Sequence, residues 1–263
     1  MDGPAPELHV TRTNSRSWTD AQLASLFADG FPEFIVGDVA VHAIIPRIRE
    51  SFPSFDITLV DRDLEPAATG WGIPLAWSGE PSELPSTFAE VLGRSLDLLH
   101  QGEVADTFVI CGAVVRPDHK GRGVAEQLLR ALCQVATDHD LARVVAPVRP
   151  TRKETYPLLA IEDYVALRRS DGLPWDPWLR LHVRMGATIA GVAPRAQTMT
   201  GTVAQWREWT GLEFPTSGDY LIPKGMAPLH IDRALDLGTY AEPNVWVRHR
   251  WRGRPTSPPL TQG

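Results

Sequence analysis

The chain has 263 residues, 43% hydrophobic and 22% charged, enough for one large domain or two small ones with a sizeable core. Its net charge of -6, without a long run of one sign, offers no footprint for a phosphate backbone or an anionic membrane, so neither is expected as a partner. The first residues lack the apolar middle of a signal peptide, and no run of about 18 apolar residues could span a bilayer, so a cytoplasmic location is expected.

In chain order, "LHVTRT" alternates as a strand, and "SWTDAQLASLFADG" reads as a helix capped by Ser17 or Thr19 and closed at Gly30. "GDVAVHAIIPRIRESF" predicts a helix interrupted near Pro46. "FDITLVD" and "ATGWGIPLAW" are two β-rich segments joined by the polar turn "RDLEP". Helical spacing of Phe88, Val91, Leu92, Leu96 and Leu99 places a helix between Ser82 and Gly102. "DTFVICGAVVR" is a near-continuous apolar run, as expected of a strand covered on both faces. Cys111 within it and Cys133 on the next helix, the chain's two cysteines, read as reduced core residues.

The stretch "VVRPDHKGRGVAEQLLRALCQVA" then runs a strand end, a basic glycine turn and an amphipathic helix together. Val124, Ala125, Leu128, Leu129, Leu132, Cys133 and Ala136 share the apolar face of that helix. Helix N-termini present unbonded N–H groups and partial positive charge, and Gly121 and Gly123 let the backbone approach a bulky anion without a Cβ in between. Lys120 and Arg122 add charge around it. A third glycine for a dinucleotide fingerprint and a G-K-[ST] for a Walker loop are both missing.

Further on, "ARVVAPVRP" is a buried strand. Asp171, Gly172 and Pro174 mark a loop, and Asp176 caps the helix "PWLRLHVRM", with Pro177 at its first position and Gly186 past its end. "ATIAGVA", "SGDYLIP" and "NVWVRHR" read as strands and "TVAQWREWTG" as a short helix. The elements make one mixed α/β domain over residues 1–251, ahead of a flexible tail at 252–263.

The segment "VRPDHKGRGVAEQLL" resembles the acyl-CoA-binding signature of the GNAT superfamily of N-acyltransferases, where a strand ending V-x-P leads through [QR]-x-x-G-x-[GA] into a helix. Asp118 departs from it, standing where Gln or Arg is usual. A second superfamily pattern, Y-x-x-x-G-F, is similar to "HVRMGA", with His182 in the Tyr position and Ala187 in that of Phe. The resemblance covers roughly Leu8 to Val192, leaving 193–251 as a C-terminal extension. It implies a mixed, mostly antiparallel central sheet flanked by helices, with helical insertions, the longest between Val148 and Pro177.

The resemblance also implies an acyl-CoA co-substrate, acetyl-CoA by default; no metal is expected, since no H-E-x-x-H or closely spaced His/Cys set occurs. The cofactor would lie against Val114, Val115, Arg116, Lys120, Gly121, Arg122, Gly123, Val124 and Ala125. Its thioester would sit in a gap between the strands Phe108 to Arg116 and Arg143 to Val148, the carbonyl held by a strand N–H near Val114. His182, as imidazolium, would be the general acid for the departing thiolate. Trp175 and Asp171, with Arg169, are candidate walls for a small-molecule amine acceptor. Glu162, Asp163, Asp219 and Glu242 compete as general base. Three readings stay open: an acetyltransferase, an acyltransferase with a longer acyl chain or a hydroxyl or thiol acceptor, and a non-catalytic acyl-CoA sensor. The oligomeric state is open too, a homodimer included.

Overall fold

The computed structural model describes residues 7–15, 18–19, 21–22, 26 and 31–251. Most of the helix expected from Ser17 to Gly30 and the tail from Arg252 lie outside the described residues. The strands are β1 (His9–Arg12), β2 (Asp56–Val60), β3 (Pro66–Leu75), β4 (Thr107–Val115), β5 (Arg143–Val148), β6 (Thr188–Gly201), β7 (Gly218–Tyr220), β8 (Leu229–Asp232) and β9 (Leu237–His249). The helices are α1 (Val39–Ser51), α2 (Phe88–Gln101), α3 (Val124–Asp138), α4 (Ile161–Ala166), α5 (Pro177–Arg184) and α6 (Val203–Thr210). All nine strands join one sheet, ordered β1-β2-β3-β4-β5-β9-β8-β7, with β6 paired to β9. Every pairing is antiparallel except β4 with β5.

Local chemistry accounts for several boundaries. The β2–β3 turn is closed by Asp61, whose Oδ1 accepts from the N–H groups of Asp63 and Glu65 at 3.0 and 2.9 Å. α2 starts at Phe88 rather than near Ser82. Pro85 holds Leu84 in an extended conformation, and Thr87 supplies the cap by accepting from Glu90 N at 3.1 Å. α1, by contrast, runs through Pro46 without the expected interruption. The proline removes one bond, to the carbonyl of exposed His42, while buried Val41 and Ile48 hold the inner face.

The two faces of the sheet carry different helices, as the alternation of β3 shows. A Cβ on Gly70 would meet Leu128 and Leu132 of α3, whereas the next residue, Trp71, packs on Phe88 of α2 and under the Arg49 guanidinium of α1. β9 repeats the alternation: Trp246 donates to Pro85 O ahead of α2 at 3.1 Å, and His249 turns to α5. So α1 and α2 cover one face, α3 and α5 the other. The apolar stripe of α3 is buried as expected, with Leu128, Leu129, Leu132, Cys133 and Ala136 fully inaccessible.

β9 is the main departure from the sequence reading. It extends the expected strand "NVWVRHR" back to Leu237 and lies between β5 and β6, so residues 193–251 contribute to the same sheet as the rest. β6 likewise continues past its expected end, crossing an irregularity between Ala193 and Gln197 where Pro194 interrupts the ladder. β8 was not expected from the sequence, because four residues after a proline give little periodicity. A second core cluster, including Phe34, Met199, Trp206, Phe214 and Tyr240, sits beside α6.

Candidate active site

β4 delivers the chain to the glycine turn. After Val115 come Arg116, a 3-10 turn over Pro117–His119, then Lys120 to Gly123, and α3. Gly121 and Gly123 have φ of +77° and +78°, values that L side chains rarely adopt. A Cβ built on Gly121 meets nothing within 4 Å, so the turn faces open space. The first bond along α3 is Gln127 N to Gly123 O at 3.2 Å, which leaves the N–H groups of Val124, Ala125 and Glu126 as the unbonded first turn. They are the groups that the sequence reading expects to seat an anion.

Asp118 does not oppose that seat. Its carboxylate accepts from Arg116 Nε at 2.7 Å and Nη2 at 3.1 Å, and the bond to Arg116 holds it below the usual carboxylate range. Arg116 Nη1 also donates to Pro66 O at 2.9 Å, and Arg116 N to Ala67 O at 2.9 Å. Arg116, expected beside the cofactor, is therefore committed to bracing the turn against β3. Lys120 and Arg122 are exposed on the turn itself.

Beyond the third pair, Val109 with Val145, β4 and β5 part. A β-bulge is the cause on one side. The register of β3 against β4 shifts between Trp71 and Gly72, so Cys111 is the extra residue and β4 bends. On the other side β5 keeps its pairing with β9 as far as Val148. A cavity of about 310 Å³ fills the opening between Ile110–Ala113 and Ala146–Arg149, reaching His42 and Arg49 on one face of the sheet and Leu129 and His182 on the other. Because Arg116 N bonds Ala67 O and the ladder alternates, Ala113 and Val115 turn their N–H groups towards the gap. The donor expected near Val114 thus falls on its two neighbours.

α5 brings His182 to this gap, and its start is firmly tied. Asp176 accepts from Trp178 N and Leu179 N at 2.9 and 3.0 Å, from Arg152 N at 2.8 Å and from Tyr164 Oη at 2.9 Å. The long connection between β5 and α5 therefore anchors α5 through Tyr164 of α4 and Arg152. Its tip does not reach the cavity. Asp171 pairs with Arg169 at 3.2 Å and Trp175 is 38% exposed; neither lines the cavity, whereas Trp178 does.

His182 is 1% exposed, and its Nδ1 lies 2.9 Å from Nε2 of His249. Burial first, and His249 second, push His182 down to about 3; burial pushes His249 down to about 4. Burial thus favours the neutral ring over the imidazolium expected from the sequence. Its Nε2 has no hydrogen-bond partner among the described residues, nor has Oδ1 of buried Asn244, and both residues line the cavity.

None of the four carboxylates expected to compete as general base lines the cavity. Glu242 is fully buried and bonded to Arg149 Nε at 2.8 Å, Asp219 pairs with His230 at 2.7 Å, and Glu162 and Asp163 are exposed. Cys111 does line it, but burial raises its thiol far above the ordinary range, so it stays protonated. His249 and Arg49 went unrecognised in the sequence, since each meets a partner brought over from another element, and Asn244 because nothing in a strand marks which of its residues reaches a cavity. Among the described residues no group of three His, Cys, Asp or Glu could hold a metal ion, and no helix is long and apolar enough to cross a membrane.

The model of the acetyltransferase (GNAT) family matches residues 94–160, from α2 through the glycine turn to the start of the insertion. The arginine N-acetyltransferase avaD of Aspergillus versicolor is 32% identical over 156 residues, 52% of this chain and 54% of that protein. Over these stretches the chain is similar to the GNAT family. It spans only about half the length of that curated relative. Among solved structures, the GNAT-like decarboxylase GphF with isobutyryl-CoA is 18% identical over 92% of this chain and 98% of its own, with a TM-score of 0.52, which shows the shared fold. The loading GNAT-like domain of CurA from Lyngbya majuscula is 13% identical over 83% of this chain and 95% of its own, with a TM-score of 0.48.

Proposed function

We propose that the protein is an acyl-CoA-dependent N-acyltransferase. What supports this most is the joint placement of an open glycine turn, a sheet that parts directly behind it, and, in a histidine that lines the gap, a buried imidazole nitrogen without a partner among the described residues. The amides of Gly121 to Glu126 take the diphosphate, with Lys120 and Arg122 as added charge. The N–H groups of Ala113 and Val115 polarise the thioester carbonyl as negative charge develops on its oxygen. A small-molecule amine attacks directly, both substrates being held together, so the chemistry needs no acyl-enzyme.

His182 acts here as a base, not as the acid the sequence pointed to. In the tautomer where its Nδ1–H donates to His249, Nε2 keeps a lone pair that takes the proton the attacking nitrogen sheds as the C–N bond forms and hands it to the sulfur as the C–S bond breaks, so the imidazolium that burial disfavours does not persist. Acetyl-CoA is the default donor, and the protein works in the cytoplasm without a metal. The curated relative is named as an arginine N-acetyltransferase, which supports a small nitrogen-bearing acceptor here. A second reading, a longer acyl chain, is favoured by the size of the cavity and by apolar Val41, Ile45 and Leu129 in its wall.

Thiol release from acetyl-CoA with a panel of amines tests transfer, and its pH dependence tests the state of His182. Protonation of His182 would require a pH near 3, so between pH 5 and 8 kcat/KM rises only with deprotonation of the acceptor. The midpoint moves when acceptors of different ammonium pKa are compared. A fixed inflection between pH 6 and 7, independent of acceptor, contradicts a neutral buried His182.

A further inference from the structure

The acceptor side of the gap has a second compartment. A cavity of about 220 Å³ adjoins the first and shares Phe31, Arg49, Trp71 and Gly112 with it. Its remaining polar wall is a chain of hydroxyls, Thr13 to Thr58 at 3.0 Å and Thr58 to Thr69 at 3.2 Å. Among the described residues no Asp or Glu lines either cavity, whereas two arginines face the first.

The two arginines differ in what they have left to offer. Arg149 is locked: Nε bonds buried Glu242 and Nη2 bonds Lys224 O, both at 2.8 Å. Arg49 is held but open. Its Nη1 pairs with Asp56 and its guanidinium lies 4.6 Å from the centre of the Trp71 ring, which fixes the plane of the fork. Nε and Nη2 have no hydrogen-bond partner among the described residues, and the side chain is 44% exposed. A guanidinium whose orientation is set, and two of whose nitrogens have no partner among the described residues, suits two-pronged recognition of a carboxylate.

We infer that Arg49 binds a carboxylate carried by the substrate, and that the enzyme selects a molecule bearing that group over its uncharged counterpart. This rests on the acyltransferase reading for the place of the site. The carboxylate comes either from the acceptor, as in an α-amino acid, or from the acyl group, as in a carboxyacyl-CoA. Asn244, whose Oδ1 has no hydrogen-bond partner among the described residues, lines the first cavity. A cationic acceptor side chain finds no described carboxylate in the wall to receive it.

Calorimetric binding separates the two sources and needs no turnover. In one arm the CoA-loaded protein is titrated with alanine, leucine and phenylalanine against ethylamine, isopentylamine and phenethylamine. In the other the free protein is titrated with malonyl-CoA against butyryl-CoA. In at least one arm the carboxylate member binds about 30-fold more tightly, the order expected for charge-assisted hydrogen bonds, and Arg49→Met brings the ratio to within about threefold of unity with CoA affinity unchanged. Arg49→Lys, which keeps the charge and loses the fork, carries the comparison should the methionine variant not fold; it lowers the ratio about tenfold.

The proposal is overturned if no carboxylate compound is preferred in either arm, if nothing binds, or if both variants leave the ratio as it was. Selective binding without thiol release once an acyl-CoA and the preferred amine are combined with the protein would instead count against the transferase reading alone.

Discussion

Gly121→Val abolishes coenzyme A binding while leaving the fold in place. Two effects add. Gly121 sits at φ +77°, where a side chain costs roughly 1–2 kcal/mol, a cost the turn meets by shifting its amides out of line. The new Cβ also points into space that is empty in the protein and that the diphosphate is proposed to fill. Losing two hydrogen bonds to a charged group, at about 1.5–3 kcal/mol each, weakens binding by more than about a hundredfold. Calorimetry with coenzyme A reads this directly, and circular dichroism confirms that the variant is folded. An affinity within about threefold of the parent contradicts a phosphate seat at this turn.

His182→Ala separates an enzyme from a silent binder. The ring lies at the gap, not at the phosphate turn, so coenzyme A affinity holds while turnover falls by about 10²- to 10⁴-fold, the span typical of a lost general base. Removing the ring leaves a cavity beside Trp178 and deprives His249 of its partner, so some stability is lost as well. His182→Gln controls for this, since it fills much of the space and offers an amide but has no basic nitrogen; its turnover falls as far as that of the alanine variant. Equal turnover in all three proteins removes His182 from the chemistry. Equal and absent turnover throughout, with coenzyme A still bound, favours a sensor.

The parts of this site that were legible in the sequence are those built from neighbours in the chain. The glycine turn, the apolar stripe of α3 and the Asp176 cap each lie within a few residues, so spacing alone reveals them. The His182–His249 contact spans 67 positions, and a histidine ending a strand carries no mark of its partner. The bulge at Cys111 was equally hidden, because "VICGAVV" reads as an unbroken apolar run and the extra residue exists only relative to β3. Trp175 misled for a related reason. Its aromatic character suits a pocket wall, but the connection that carries it spends its buried contacts on tying Tyr164 and Arg152 to Asp176, leaving the tip at the surface. Nothing in the sequence marks Arg49, whose plane is set only by Trp71 and Asp56, brought over from β3 and β2.

Crystals grown with acetyl-CoA test the cradle and the cleft together. The expected density places the diphosphate against the amides of Gly121 to Glu126 and the thioester carbonyl within hydrogen-bond distance of Ala113 N or Val115 N, with His182 Nε2 facing the reacting carbon. Density for the diphosphate elsewhere on the protein, or a pantetheine arm that never enters the opening between β4 and β5, would contradict it.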